Sequence, residues 1–307
     1  MTPEHGLFII KMDKAARGSK ALSALVECAA AQQHSQWGED VALLPLLVRA
    51  ARRGDGPPTA VEIGANDGVW ASNTLMLERC LGWRALLIEG NTKNYARLLQ
   101  ADRPLSTKVN SAICSGGGVG NVLMTAHGEG VAADASQLSR ARQEKTLRQL
   151  WYSWERRRGR NHTRGPPLEE VPCREMRALM KDEAGWRRAT FLSLDVEGAE
   201  ELVLRTVRPD AFDVILVEMD GVDPNKDARV ERAILDAGLN RTRVRACAHC
   251  RTPISRVYAR PALCDGSGAA DGAADASAQA AQLLRRGLVT GAAAPIARRF
   301  LEPLECM

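Results

Sequence analysis

Apolar and polar positions along the chain follow two rhythms. A helical spacing comes first, at Val41, Leu43, Leu44, Leu47 and Val48, with Ser35 placed to cap a helix that starts near Trp37. Pro45 inside that run is expected to kink or divide it. The glycines and prolines of 54–58 then end it. Beyond them, short Val/Ile/Leu runs ending in an acid or a small residue alternate with helix-length segments. The spacing predicts strands over 59–63, 84–88, 108–113, 190–194 and 213–217, and helices over 73–81, 94–100, 199–207 and 228–237. Near-continuous apolar strands suit a sheet covered on both faces. The pattern therefore predicts an α/β fold with a doubly wound, mostly parallel sheet. Strand character over 242–246 and 255–258 adds an antiparallel closing element.

Two stretches break the alternation. Residues 115–188 form an insertion between the third and fourth strands. Residues 261–307 are rich in Ala, Gly and Asp and read as a flexible, partly disordered tail with one short helix near 278–284. The expected organisation is a weakly helical lead over 1–34, a catalytic domain over 35–260 and this tail.

Composition adjusts the picture only slightly. A chain of 307 residues accommodates one large α/β domain with appendages. Hydrophobic content of 45% and charged content of 26% are those of a globular protein with a packed core. A net charge of +5 is too small to demand a nucleic-acid partner. No run approaches the roughly 18 apolar residues of a membrane span. The basic lead, with Lys11, Lys14, Arg17 and Lys20, has too short an apolar run for a secretory signal, though weak organelle targeting stays open. A cytoplasmic location is expected. Of the eight cysteines, most fall in or beside predicted elements and read as small buried hydrophobes. Cys247, His249, Cys250 and Cys264 suggest zinc, but a single close pair does not make a four-ligand site.

The chemistry concentrates at strand ends. Glu62 stands two residues before Gly64, and Gly68 follows four later. Glycines there let the backbone turn sharply and approach a nucleotide-like ligand. Glu62 would oppose a pyrophosphate but welcome an ammonium group, such as the methionine end of S-adenosylmethionine carries, and the dinucleotide register G-x-G-x-x-G is missing. Glu89 ends the second strand, where an acid meets ribose hydroxyls. Ser111 and Ala112 end the third, where small residues could flank an adenine. Asp195 ends the fourth strand, with Glu197 and Glu200 just beyond, and Glu218 and Asp220 end the fifth. Converging acids could orient a hydroxyl, remove its proton or hold a divalent cation, although no sharp metal motif is present. Negative charge at a helix start alone accounts for Glu200 equally well.

Five blocks stand in order: Ser35–Asp40; Val61–Gly68 with Ser72, Asn73 and Thr74; Leu87–Asn91; Leu192–Glu200; and Val217–Gly221. Together, over roughly residues 35–260, they resemble the FkbM family of S-adenosylmethionine-dependent methyltransferases. The resemblance implies a Rossmann-like class I methyltransferase fold and O-methylation of a hydroxyl on a sugar or other small metabolite. It implies that Glu62, Gly64, Asn66 and Gly68 line the methionine end of the cofactor. Glu89 would take the ribose, Ser111 and Ala112 the adenine, and Asp195 the region beside the sulfonium, with Asn73 and Gln36 as further contacts. Asp195, Glu197, Glu218 and Asp220 are the candidate catalytic acids.

The insertion departs from that pattern. Leu147, Leu150, Trp151 and Trp154 share a helical face, with arginines around and after it. An amphipathic helix with a solvated end accounts for this. The sharper alternative is a lid over 140–164 that meets an anionic substrate or RNA, and hence an RNA or protein methyltransferase. A non-catalytic interaction module on a cofactor fold is the remaining rival.

Overall fold

The structure is a computed structural model that describes residues 19–53, 56–117, 120–125, 168–247, 250, 254–264 and 273–307. Its frame is a seven-stranded sheet. Five strands are parallel: β1 (Thr59–Ile63), β2 (Arg84–Glu89), β3 (Ser106–Asn110), β7 (Ala189–Leu194) and β8 (Phe212–Glu218). The closing strand β10 (Ser255–Ala259) runs antiparallel to β8 and carries the short β9 (Asn240–Arg241) on its far edge. The order β3-β2-β1-β7-β8-β10-β9 places β1 and β7 side by side at the centre. The chain order reverses between them, so their carboxyl ends open the crevice where such sheets bind ligands.

The period-two alternation of the strands separates two cores. Leu87, Phe191, Val214 and Leu216 face one side, with α1 (Ser19–Gln32), α2 (Glu39–Arg53) and α3 (Leu75–Leu81). Val61, Ile63, Leu192, Leu194, Ile215 and Val217 face the other, against α5 (Met176–Ala184), α6 (Glu200–Thr206) and α7 (Pro224–Asp236). Both faces are covered, as the apolar strands require. This is the doubly wound, mostly parallel, Rossmann-like architecture expected, with its antiparallel closing strand.

Several local expectations shift for identifiable reasons. Helix α2 runs through Pro45 undivided, its leucines buried. Helix α3 starts at Leu75 rather than at 73, because Ser72, Asn73 and Thr74 donate to Glu62 instead of opening a helical turn. The expected 108–113 strand divides at Ser111. Asn110 is the last residue paired with β2, and Ala112–Ile113 (β4) crosses into a second sheet. That sheet, ordered β4-β6-β5, also contains β5 (Gly120–Thr125) and β6 (Leu168–Arg174) of the insertion. Helix α4 (Thr92–Gln100) begins at Asn91, whose side chain accepts from Lys93 N and Asn94 N. The strand expected over 242–246 lies earlier, at β9, and Thr242 makes an isolated bridge with Cys306.

The C-terminal stretch differs most from expectation. Rather than a flexible tail with one short helix, residues 273–307 supply α9 (Ala273–Arg285) and α10 (Ala293–Arg299), after the short α8 (Pro261–Cys264). Ala280, Leu283, Ile296 and Ala297 are buried in the core that α1 shares. Small side chains, which read as low complexity, here let helices approach closely.

The cysteines are not incidental small hydrophobes. Cys28–Cys80 ties α1 to α3, Cys114–Cys173 ties β4 to β6, Cys247 pairs with Cys250, and Cys264 pairs with Cys306. No thiolate among Cys247, Cys250 and Cys264 is then left for zinc. Among the described residues, no helix is long and apolar enough to cross a membrane.

Candidate functional site

A cleft of about 300 Å³ opens at the carboxyl ends of β1, β2 and β7. It brings together Glu62, Gly64, Asn66, Asn73, Glu89, Ser111, Ala112, Asp195 and Glu197, all proposed from sequence, along with Gln36. Beyond Asp195 it continues into a smaller hollow walled by Trp37, Glu39, Glu218 and Ser255. Gly68 sits behind the wall. A Cβ on it would come within 2.4 Å of Leu98 Cδ1.

Gly64 shapes the floor. Its φ is +82°, and a Cβ would lie 2.0 Å from the carbonyl oxygen of Asp195. Only glycine lets the ends of β1 and β7 come this close. Among the described residues, three non-glycine positions have positive φ: Asn66, Ala71 and Glu197. All three line the cleft. Left-handed backbone costs such residues free energy, and it collects at sites where the surrounding structure enforces it.

Glu62 is held by its own chain. Its carboxylate accepts from Ser72 Oγ at 2.8 Å, Asn73 N at 2.5 Å and Thr74 Oγ1 at 2.6 Å. It thus shapes the 72–74 turn while still lining the cleft. Behind the turn lies Arg103, a residue the sequence analysis missed. Its guanidinium donates to Glu78 at 2.6 Å, to Gly68 O at 2.7 Å and to Thr74 Oγ1 at 2.9 Å, with both charges buried. No motif surrounds Arg103 or Glu78, and only the fold brings them together. Met124 of β5 is a second omission. It lines the cleft beside Gly90, where a Cβ would meet its sulfur at 2.6 Å.

Glu89 accepts from Asn66 N at 2.8 Å and Asn91 N at 2.7 Å. Burial outweighs these bonds and pushes its carboxyl up to about 7. Each oxygen keeps a lone pair for a further donor. Ser111 N donates to Glu89 O at 3.1 Å, which holds the adenine-side candidates against the end of β2.

The acids past β7 and β8 separate into two groups. Asp195, Glu197 and Glu218 each offer an oxygen within 4.8 Å of the others. Burial, then a hydrogen bond and charge from Glu218, then Glu197 and Glu200 hold the Asp195 carboxyl well above its ordinary range. Glu200 is otherwise engaged, paired with the buried Lys226 and accepting from Gly198 N at 2.9 Å. Asp220 lines neither space, and its Oδ1 accepts from Val222 N at 3.1 Å in a turn. Residues 140–164, with Trp151 and Trp154, lie outside the described residues.

Among the described residues, three buried acceptor oxygens on the cleft have no hydrogen-bond partner: Asn66 Oδ1, Asn73 Oδ1 and Asp195 Oδ1. Buried acceptors are normally satisfied. Oxygens of this kind beside a carboxyl pair suit a ligand rich in N–H and O–H donors or carrying positive charge, and do not suit a phosphate.

A search of curated proteins finds no significant match to this chain. The model of the methyltransferase FkbM domain matches residues 62–242, more than half of the chain, from the acid of β1 to the residue just after β9. With the strand order and the cleft, that match settles the assignment: the chain belongs to the FkbM methyltransferase family.

Proposed function

We propose that this methyltransferase uses S-adenosylmethionine to methylate a hydroxyl on a sugar or other small metabolite. The observation that carries this reading is the Asp195–Glu218 pair at the junction of the cleft and its smaller hollow. A bound cofactor would supply a sulfonium methyl; the acceptor oxygen gains that methyl, and the broken carbon–sulfur bond leaves its electron pair on sulfur. Asn66 and Asn73 provide acceptor oxygens for the methionine end. Glu89 provides lone pairs for two ribose hydroxyls. Ala112 and Met124 wall the adenine side.

The chain's own chemical task is then alignment and proton removal. Burial and the crowding of Asp195 by the carboxylates of Glu218 and Glu197 raise the proton affinity of Asp195. In its ionised form Asp195 accepts the hydroxyl proton of the acceptor as the methyl moves. A second reading has its own observation, the 4.8 Å clustering of the three carboxylates, which could hold a divalent cation to bind the acceptor oxygen.

Radiolabelled methyl transfer from S-adenosylmethionine to a panel of glycans and small alcohols tests the reading. Asp195→Asn should lose transfer while still binding S-adenosylhomocysteine. Unchanged turnover in that variant defeats the role given to Asp195. Treatment with EDTA separates the two readings, since full activity supports proton removal alone and loss restored by Mg²⁺ supports the cation.

A further inference from the structure

Tryptophan is the most costly side chain to leave in water, yet Trp37 and Trp70 are 44% and 55% exposed. Both stand at the cleft and its adjoining hollow. Trp70 lines the main cleft and Trp37 the hollow beyond Asp195, and the two spaces share Gln36, Ala71, Asn73, Ser193 and Asp195. Their backbones are pinned. Trp37 N donates to Glu39 Oε2 at 2.8 Å, and Trp70 N to Asp67 Oδ1 at 2.8 Å. Ser35 and Ala71 join the two segments by a bridge, with Ala71 at a φ of +59°. Asp40 fixes the first segment further by accepting from His34 N, Ser35 N and Ser35 Oγ.

The chain therefore spends strain and hydrogen bonds to present two indoles at the edge of a polar hollow. We propose that Trp37 and Trp70 form an aromatic platform for a pyranose ring of the acceptor, and so determine its specificity. A pyranose has an apolar C–H face and a hydroxyl rim. The face suits an indole, and the rim suits Gln36, Glu39 and Ser255 around the hollow. The hollow, of about 20 Å³, has room for a single hydroxyl rather than a ring, so a ring stacked on the indoles at its edge directs one hydroxyl at Asp195 and Glu218. An apolar alcohol would offer no donor to Glu39, the buried member of that set, and a buried acceptor left short of donors is costly. The proposal rests on the methyltransferase reading above and narrows its acceptor to carbohydrate.

The test uses the full chain saturated with S-adenosylhomocysteine on a broad glycan array. The wild-type protein should bind a defined set of glycans. Trp70→Ala and Trp37→Ala should weaken that binding at least tenfold, Trp70→Phe should recover part of it, and S-adenosylhomocysteine affinity should stay within threefold throughout. Glycan binding that survives both alanine variants overturns the platform. So does an array with no bound glycan while the cofactor product still binds, a result that leaves the methyltransferase reading intact. Loss of S-adenosylhomocysteine affinity in Trp70→Ala makes that residue part of the cofactor wall and overturns its acceptor role. If the wild-type protein does not bind S-adenosylhomocysteine at all, the broader reading falls with it.

A different set of residues carries a second inference. All eight cysteines are paired, and three of the four bridges join segments 42 to 59 residues apart. Chance does not bring every thiol of a chain within bonding distance of a partner. We infer that the protein matures and works in an oxidising compartment rather than the cytoplasm. In each bridge two thiols lose two hydrogens, which reduce one disulfide of a protein oxidant to a dithiol. Acid-quenched alkylation of the protein from its native cells, followed by mass spectrometry, should label none of the eight. A free thiol at any of them overturns the inference.

Discussion

The two halves of the cleft use the same residue type in opposite ways. On the β1–β2 side, Glu62 and Glu89 are buried carboxyls surrounded by donors from their own chain, three for Glu62 and two backbone N–H groups for Glu89. On the β7–β8 side, Asp195 faces Glu218 and Glu197, and its Oδ1 has no donor. The first half is a prebuilt cradle. The second is left unsatisfied, and an unsatisfied acid with a raised proton affinity is what proton removal needs. Burial alone does not distinguish a structural carboxylate from a reactive one; the identity of its neighbours does.

The junction between the halves is the most sensitive point. Gly64→Ala drives a methyl into the Asp195 carbonyl at 2.0 Å and forces β1 from β7. Both atoms belong to backbone, so nothing flexible can yield. The variant should lose more than about 4 kcal/mol of stability, beyond ordinary overpacking. Thermal unfolding checks this, and a melting point within a few degrees of wild type would contradict the close approach.

The cradle is probed next. Arg103→Met strands Glu78 as a buried charge and releases Gly68 O and Thr74 Oγ1. Breaking a buried pair in this way costs about 3–5 kcal/mol. Urea denaturation should show that loss together with weaker S-adenosylhomocysteine binding, because the 72–74 turn loses its support. A Glu78→Leu/Arg103→Met double variant should recover stability but not the turn.

The reactive half should respond in rate instead. Asp195→Asn is expected to cut methyl transfer roughly 100- to 10,000-fold, the usual range for a proton-transfer group, with binding of the cofactor product and stability retained. In the wild type the rate should rise with pH as Asp195 loses its proton, through a midpoint above the ordinary carboxylate range. A pH-independent rate in single-turnover experiments would remove Asp195 from proton transfer.

The smallest effect belongs to Glu89. Its carboxyl titrates near 7 against an ordinary value of 4.5, so the folded state holds the proton more tightly than the unfolded chain. The contribution to folding is complete below about pH 4.5 and is lost as pH rises toward 7. Ribose recognition runs the other way, because only the ionised form can accept from both hydroxyls. Cofactor affinity should therefore improve about tenfold between pH 6 and pH 8. Calorimetric titration at the two values checks it, and a flat response would take Glu89 out of ribose binding.

Much of the cleft was legible in the sequence because its residues lie at strand ends, and strand ends can be found from the rhythm of apolar runs. Gly64, Glu89, Ser111 and Asp195 could be located that way without knowing which strands are neighbours. Arg103, Met124 and the fate of Glu62 could not. Arg103 reaches Glu78 across 25 positions, and Met124 arrives from a second sheet inside the insertion. The tail misled for a related reason. An alanine-rich stretch has weak periodic contrast, and its burial depends on a partner, α1, near the opposite end of the chain.

The sequence by itself determined the parallel sheet, the cofactor-side turn and the family, since each depends on local periodicity or on contiguous motifs. Tertiary structure decided which acids crowd one another, which cysteines are paired and where two tryptophans stand. Those properties depend on the distance between residues far apart in the chain, and one-dimensional spacing carries no measure of it.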